Sequence, residues 1–353
     1  MRQAHWNRRR PGHRRQRQAA RSWHDHLPDF RELSRRRVFT HSQGDSMTAK
    51  EPINYTRGAL YGLSAVCIWA AFIVVSRLGV RGALTPWDVV AIRYVVAGVL
   101  LAPHLVRKGL ALDRLGWGGV AAIVLGCGAP PVLLVNAGLL FAPAAHAGAL
   151  YPGSSPLFVA LLVILFLNDR LGAAKWAGIA LIGLGVVAIV WGSGASIGAR
   201  QNIGDAMFLL AGAAWACFTV VMKRAGVDGL HAASIAAVGS LLLYLPPYAF
   251  LNGAAVFNAP FSAIALQAVV QGILTAIVAL LLYGRAVAIL GATGGAAFVA
   301  LTPVATGVMA IPVLGEWPTA LDWLSILVIS VGVYVLSGGR ISNQRFGISK
   351  REI

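Results

Sequence analysis

An arginine stands inside an apolar run, in the stretch DVVAIRYVVAG (88–98). Counting ~1.5 Å per residue from Pro86, Arg93 lies ~10 Å into a helix. A guanidinium at that depth is costly against lipid and faces protein or a water-filled cavity. Its planar fork suits bidentate contact with a carboxylate, so Arg93 is a candidate substrate-binding or gating group. The alternative is a structural arginine, bonded to helix-end carbonyls or seated near Tyr94.

Other polar side chains interrupt apolar runs in a pattern. Gln267, Gln271 and Thr275 are spaced i, i+4, i+8, with Tyr283 two further steps on. Residues four apart stack along one helix face. Such a stripe points into the bundle, either lining a cavity or hydrogen-bonding a neighbouring helix. Trp69 and Trp215 are candidates for an aromatic pair lining a cavity, or for packing. His146 could titrate or contact substrate, or be a satisfied interhelical histidine. Pro130-Pro131 removes two backbone donors within an apolar run that ends at Asn136, so the helix there is expected to kink or break. Freed carbonyls in a membrane need protein or cavity water, which makes 127–136 a candidate cavity wall.

The carboxylates lie elsewhere. Asp88, Asp169, Asp205, Glu316 and Asp322 all fall near the ends of apolar runs. Ion coupling usually uses a membrane-embedded carboxylate, so transport is expected to be uncoupled or to couple through another group. Glu316, in GEWPT (315–319), is expected to be a helix-start device, with Pro318 in the first turn of the next helix. The sequence contains no HExxH or P-loop motif, and no paired carboxylates at depth. Neither an enzyme nor a nucleotide-driven pump within this chain is indicated, and no cofactor or metal is expected. Cys67, Cys127 and Cys217 sit in apolar runs without metal spacing.

The elements that must position these groups are membrane spans. The chain is 57% hydrophobic and 12% charged, with a mean hydropathy of +0.70. Soluble domains carry about twice that charge fraction. From residue 58 onward, apolar runs long enough to cross a ~30 Å hydrocarbon core alternate with short polar breaks. Ten spans are predicted, at 58–77, 86–106, 116–138, 144–167, 173–192, 204–223, 231–251, 262–283, 290–314 and 318–337. The short connections leave one helical bundle with no room for a soluble domain.

Basic residues orient it. Arg107, Lys108, Arg114, Arg170, Lys175, Lys223, Arg224 and Arg285 fall on one side, with Arg340, Arg345, Lys350 and Arg351 in the tail. Only Arg77, Arg81 and Arg200 fall on the other. The positive-inside rule then puts both termini in the cytoplasm.

An internal repeat runs through the spans. IWAAFIVVSR (68–77) matches AWACFTVVMK (214–223) at an offset of 146, pairing Trp69 with Trp215 and Phe72 with Phe218. At an offset of 147, Gly148 pairs with Gly295, Pro156 with Pro303, Asp169 with Glu316, Trp176 with Trp323 and Gly185 with Gly332. Arg93 maps near Gly239-Ser240, so its role belongs to one half only. Gly291 and Gly295 form a GxxxG on span 9, expected to pack closely against another helix. Five spans is an odd number, so the second copy enters from the opposite side. That is the inverted repeat of secondary transporters, whose substrate sites lie near the midplane between halves that rearrange.

On these residues the chain resembles the drug/metabolite transporter superfamily, specifically its EamA-type ten-helix branch. ALTPVATGVMAIPVLGEWPTALDWLSILVISVGVYVLSG (300–338) is similar to the family's ninth span, acidic turn and tenth span. YPGSSPLFVALLVILFLNDRLGAAKWAGIALIGLGVVAIV (151–190) is similar to the first-half counterpart, with Asn168-Asp169 where the family usually has Gly-Glu. Arg93 matches an arginine common in the family's span 2. The resemblance implies a bacterial inner-membrane permease exporting amino acids, other small metabolites or toxic compounds through a central cavity.

The expected organisation is a basic N-terminal extension over 1–57, a first five-span repeat over 58–192, a linker over 193–203, a second repeat over 204–338 and a cytoplasmic tail over 339–353. The extension holds 14 of the chain's 30 Lys and Arg residues against five acids. It has no apolar run, so it is neither a signal peptide nor a span. It reads as an arm for anionic lipid or nucleic acid, a disordered tail, or upstream sequence before a start at Met47; no fold is expected there. An arm would make the chain a membrane-anchored binding or regulatory protein, the alternative to a transporter. The transporter reading expects a small-molecule substrate, membrane lipid, no nucleic acid, and a monomer or homodimer.

Overall fold

The computed structural model describes residues 55–167, 171–196 and 199–338. The basic extension, Asp169 and the C-terminal tail lie outside the described residues. Nine described helices are long and apolar enough to cross a membrane: α1 (Tyr55–Arg81), α2 (Pro86–Lys108), α3 (Leu112–Gly138), α4 (Ala144–Leu165), α5 (Ala173–Gly192), α6 (Arg200–Arg224), α7 (Gly229–Asn252), α8 (Phe261–Gly291) and α9 (Thr293–Leu314). The tenth, α10 (Ala320–Leu336), has 17 residues, the short end of the spanning range. Phe250, Phe261, Trp191 and many leucines stand outward, as lipid-facing helices require. All ten expected spans have their helix.

The starts of the helices are written in local sequence. Thr85 caps α2, its side chain accepting from the Asp88 N–H while Asp88 accepts from the Thr85 N–H; Pro86 follows at the first position. Thr319 and Asp322 form the same capping box at the start of α10. This satisfies two otherwise orphaned donors at each start. Asp228 caps α7 by accepting from the His231 N–H at 2.9 Å. Its partial burial opposes ionisation, yet that bond and nearby Lys108 hold its carboxyl below the usual range.

The repeat is visible in packing. α5 and α10 lie together, and their contacts come in matched pairs. A Cβ on Gly185 would meet Ile329, and a Cβ on Gly332 would meet Ile182. Ile182 and Ile329, like Gly185 and Gly332, are 147 apart, so the two contacts are mates. Three residues forward on α5 correspond to three residues backward on α10. The equivalent helices therefore run antiparallel, and the two five-helix repeats are inverted.

Several helices are discontinuous. α3 breaks at Gly128 (φ −87°, ψ −146°), and Pro130-Pro131 opens the segment that follows. α4 is interrupted by turns over residues 151–154, just before Pro156, and α9 by turns at 300–301, just before Pro303. These prolines mark equivalent breaks because a proline lacks the N–H and crowds the preceding turn. α8 winds as a π-helix over Ala268–Val278. Shifted by 147, the α3 break falls inside that π segment. Gly291 is no packing residue: it turns between α8 and α9 with φ +78°, and a Cβ there would have nothing within 4 Å. That left-handed conformation is what only glycine adopts cheaply.

Candidate functional site

Arg93 extends from α2 toward α1 and the π-wound α8. Its guanidinium lies over the Phe72 ring of α1 at 5.2 Å and beside the Tyr94 ring at 5.7 Å. One terminal nitrogen donates to Gln271 Oε1 of α8 at 3.1 Å. Its Nε is buried and has no hydrogen-bond partner. Tyr151 stands at the break in α4.

Gln271 is the joint of this group. Its amide nitrogen lies 2.6 Å from Ser76 Oγ, 3.3 Å from the Phe72 carbonyl and 3.2 Å from Gln267 Oε1, and its two N–H groups are shared among these acceptors. Gln267 in turn donates to the Val75 carbonyl at 2.7 Å. Both glutamines therefore hold α8 against α1, and Gln271 also carries Arg93. Thr275 departs from the expected stripe. Wider π winding turns its hydroxyl onto the Val270 carbonyl, five residues back.

The aromatic candidates split between two neighbourhoods. Trp69 packs on Tyr283 with ring centroids 5.3 Å apart. Trp215 meets Tyr151 edge-on at 6.2 Å and Phe218 at 5.2 Å. Asn136 is fully buried and donates to the Val132 carbonyl of its own helix, leaving Oδ1 unpartnered. It is not gathered with Arg93.

The broken α3 is satisfied by protein. The Ala129 N–H donates to Ser240 Oγ of α7 at 2.9 Å, and the Tyr94 hydroxyl donates to the Cys127 carbonyl at 3.2 Å. Ser240 is the residue 147 after Arg93. Each of these equivalent positions thus reaches the irregular helix of the opposite half: Arg93 touches π-wound α8, and Ser240 touches the break in α3. A Cβ on Gly128 would lie 2.2 Å from Ser240 Oγ, so glycine permits this approach.

A second cluster lies at the face carrying the α1–α2 turn. Glu316 does not start α10; Thr319 and Asp322 do, and Pro318 precedes the cap. Its Oε1 accepts from Arg77 Nε at 2.8 Å and from Arg81 at 3.0 Å, and its Oε2 accepts from the Ala144 N–H at 2.9 Å. The helix it starts is α4. Arg77 also donates to the Leu139 carbonyl. Two residues on, His146 places Nδ1 2.9 Å from Asp205 of α6 and Nε2 3.1 Å from Asp322 of α10. His146 is thus committed to side chains near that face, away from Arg93.

Tyr151, Ser240, Asp205 and Asp322 are the partners that sequence reasoning missed. Asp205 and Asp322 were visible as carboxylates at span starts, where capping residues also occur. Nothing local marked Tyr151.

Comparison with known proteins adds the class. A family model described as the EamA-like transporter family matches residues 56–191 and again residues 202–338. Two tandem matches on ten apolar helices define a multi-pass membrane transporter of two repeats, acting on a small-molecule substrate. The chain belongs to the EamA-like transporter family, within the drug/metabolite transporter superfamily. Sixteen chains of solved structures match. One, described only as the crystal structure of a protein, is 18% identical with a TM-score of 0.54, covering 79% of this chain and 96% of its own. At that identity the likeness bears on the fold alone. No curated protein matches the chain.

Proposed function

We propose that this protein is a secondary transporter that exports small metabolites, amino acids or drug-like compounds across a bacterial inner membrane by alternating access. The observation that carries the site is the Arg93 guanidinium, deep in the bundle, with an unpartnered buried Nε and an aromatic floor of Phe72 and Tyr94. A carboxylate accepting from Nε would relieve that orphaned donor, and aromatic walls from Tyr151 and Trp215 would receive an apolar or aromatic portion. Amino acids and aromatic carboxylates are therefore the favoured substrates. Trp69 and Tyr283, Gln267, Gln271 and Thr275 border or support this region from α1 and α8.

Basic residues favour the α1–α2 face as the outer one. Arg77, Arg81 and Arg200 lie there, whereas Arg107, Lys108, Arg114, Lys175, Lys223, Arg224 and Arg285 lie at the other. Both termini are then cytoplasmic.

The test is a screen of radiolabelled amino acids and aromatic carboxylates for uptake into inside-out vesicles. Arg93→Ala is expected to abolish uptake at normal protein abundance. Unchanged kinetics in that variant would remove Arg93 from the transport site.

A further inference from the structure

His146 faces a carboxylate oxygen from each of its ring nitrogens, at 2.9 Å and 3.1 Å. A neutral imidazole has one N–H and one lone pair. If both aspartates were ionised as well, one of those contacts would set a nitrogen lone pair against a carboxylate oxygen. That contact repels, and burial strengthens the repulsion because little water screens it. One added proton converts both contacts into hydrogen bonds, whether it resides on the ring or on one carboxyl group. His146 and Asp205 are buried, with side-chain accessibilities of 2% and 0%, so bulk water does not screen the contact.

We propose that His146, Asp205 and Asp322 form a one-proton binding site whose occupancy clasps the two halves together at the α1–α2 face. His146 belongs to the first half, and both aspartates belong to the second. Asp322 is the entry point, its side chain 16% exposed. One of its oxygens serves the α10 cap and the other serves His146, so α10 is held in position for the contact. Loss of the proton leaves two negative charges and a repelling lone pair between α4, α6 and α10, and the clasp opens. The aspartates sit on opposite ring nitrogens, and among the described residues no such group converges to hold a metal ion.

The surrounding charges do not supply this proton's role. α1, packed beside the start of α4, presents Arg77 and Arg81, and both are engaged by Glu316. α6 adds Arg200, which is exposed, and Asp205 itself. α10 adds only Asp322, α9 carries no charged residue, and α5 carries only Lys175 at its far end. On this proposal, closure is linked to pH without a carboxylate at the membrane midplane. Its coupling to transport rests on the function proposed above, but the clasp itself is read without any substrate.

The experiment is amide hydrogen exchange of the full chain in nanodiscs at several pH values, normalised for the intrinsic exchange rate. The segments read are 144–150 and 316–325. With one proton linked to closure, their protection is expected to fall by up to about tenfold per pH unit on the alkaline side. His146→Ala is expected to lose protection at every pH. Asp322→Asn is expected to stay protected at every pH, because its amide N–H takes the place of the proton. Wild-type protection that does not change with pH, or an Asp322→Asn variant that keeps the wild-type profile, would overturn the proposal. Failure of the vesicle screen would leave this reading intact, and failure here would leave the Arg93 site intact.

Discussion

Arg93 pays for its depth in contacts, and the unmatched part is what makes it informative. A buried donor left without a partner costs about 1–3 kcal/mol, and more when charged. Most of its surroundings, from Phe72 and Tyr94 to Gln271, hold the group in place. A fixed planar fork should discriminate by geometry as well as by charge. Arg93→Lys keeps the charge but replaces the fork with a point donor on a flexible stem. We expect the KM for carboxylate substrates in vesicle uptake to rise at least about tenfold, with little change for a neutral analogue. Equal loss for both would make Arg93 a general structural residue. The residue scale was partly legible in the sequence. Arg93, Gln267 and Gln271 stood out because a polar group in an apolar run must find a partner whatever the fold. Their actual partners were not legible, since the Arg93–Gln271 contact spans 178 positions. His146 was visible, but its two aspartates resembled ordinary caps, and Asp322 is a cap as well as a partner.

Helices were the most legible level, because run length and hydropathy depend on the bilayer and not on neighbours. Their interruptions were less so. Pro130-Pro131 announced a break in α3, but the break itself sits at Gly128, since prolines are accepted at the first positions of a helix and not before them. The π winding of α8 left no local mark, and Gly291 looked like a packing residue until its backbone turned left-handed. The repeat had a sharper consequence in the α5–α10 pair. A Cβ at Gly185 would come within 2.5 Å of Ile329 and 3.0 Å of the Ser325 carbonyl oxygen. One at Gly332 would come within 2.8 Å of Ile182, including its backbone nitrogen. Gly183, two residues away on α5, has nothing within 4 Å. Gly185→Ala and Gly332→Ala should each cost about 1–3 kcal/mol from overpacking, and Gly183→Ala should be neutral or slightly stabilising. Thermal unfolding in detergent reads all three. A Gly332 variant as tolerant as the Gly183 variant would contradict the antiparallel register.

At the scale of the whole molecule, the two faces are tied unequally. The α1–α2 face joins the halves through largely buried groups: Arg77 with Glu316, the Ala144 N–H with Glu316, and His146 with its aspartates. At the other face, Lys108 and Asp228 meet at 3.7 Å with each side chain more than half exposed, beside a 2.8 Å hydrogen bond between the His231 ring and the Gly109 carbonyl. Exposed pairs of that kind contribute about 0–1 kcal/mol, whereas a hydrogen bond to a charged group contributes about 1.5–3 kcal/mol. Among the described residues, ion pairs between the halves are therefore largely buried at the α1–α2 face and exposed at the opposite one. Glu316 concentrates that difference, since one carboxylate engages α1 twice and α4 once. Removing it should shift the balance toward opening at this face. A loss of about 1.4 kcal/mol changes the closed-to-open ratio tenfold, and Glu316→Ala removes more than one contact of that size. Spin labels at Ala83 and Trp317, both exposed at this face, should give a single short distance in otherwise unaltered protein. In Glu316→Ala, pulsed dipolar measurement should find a second, longer distance carrying a substantial share of the population. Arg77→Ala should produce the same long distance, and the double variant should add little, because both single changes break one tie. A distance distribution indifferent to Glu316→Ala would mean that hydrophobic packing, and not this ionic joint, keeps the face closed.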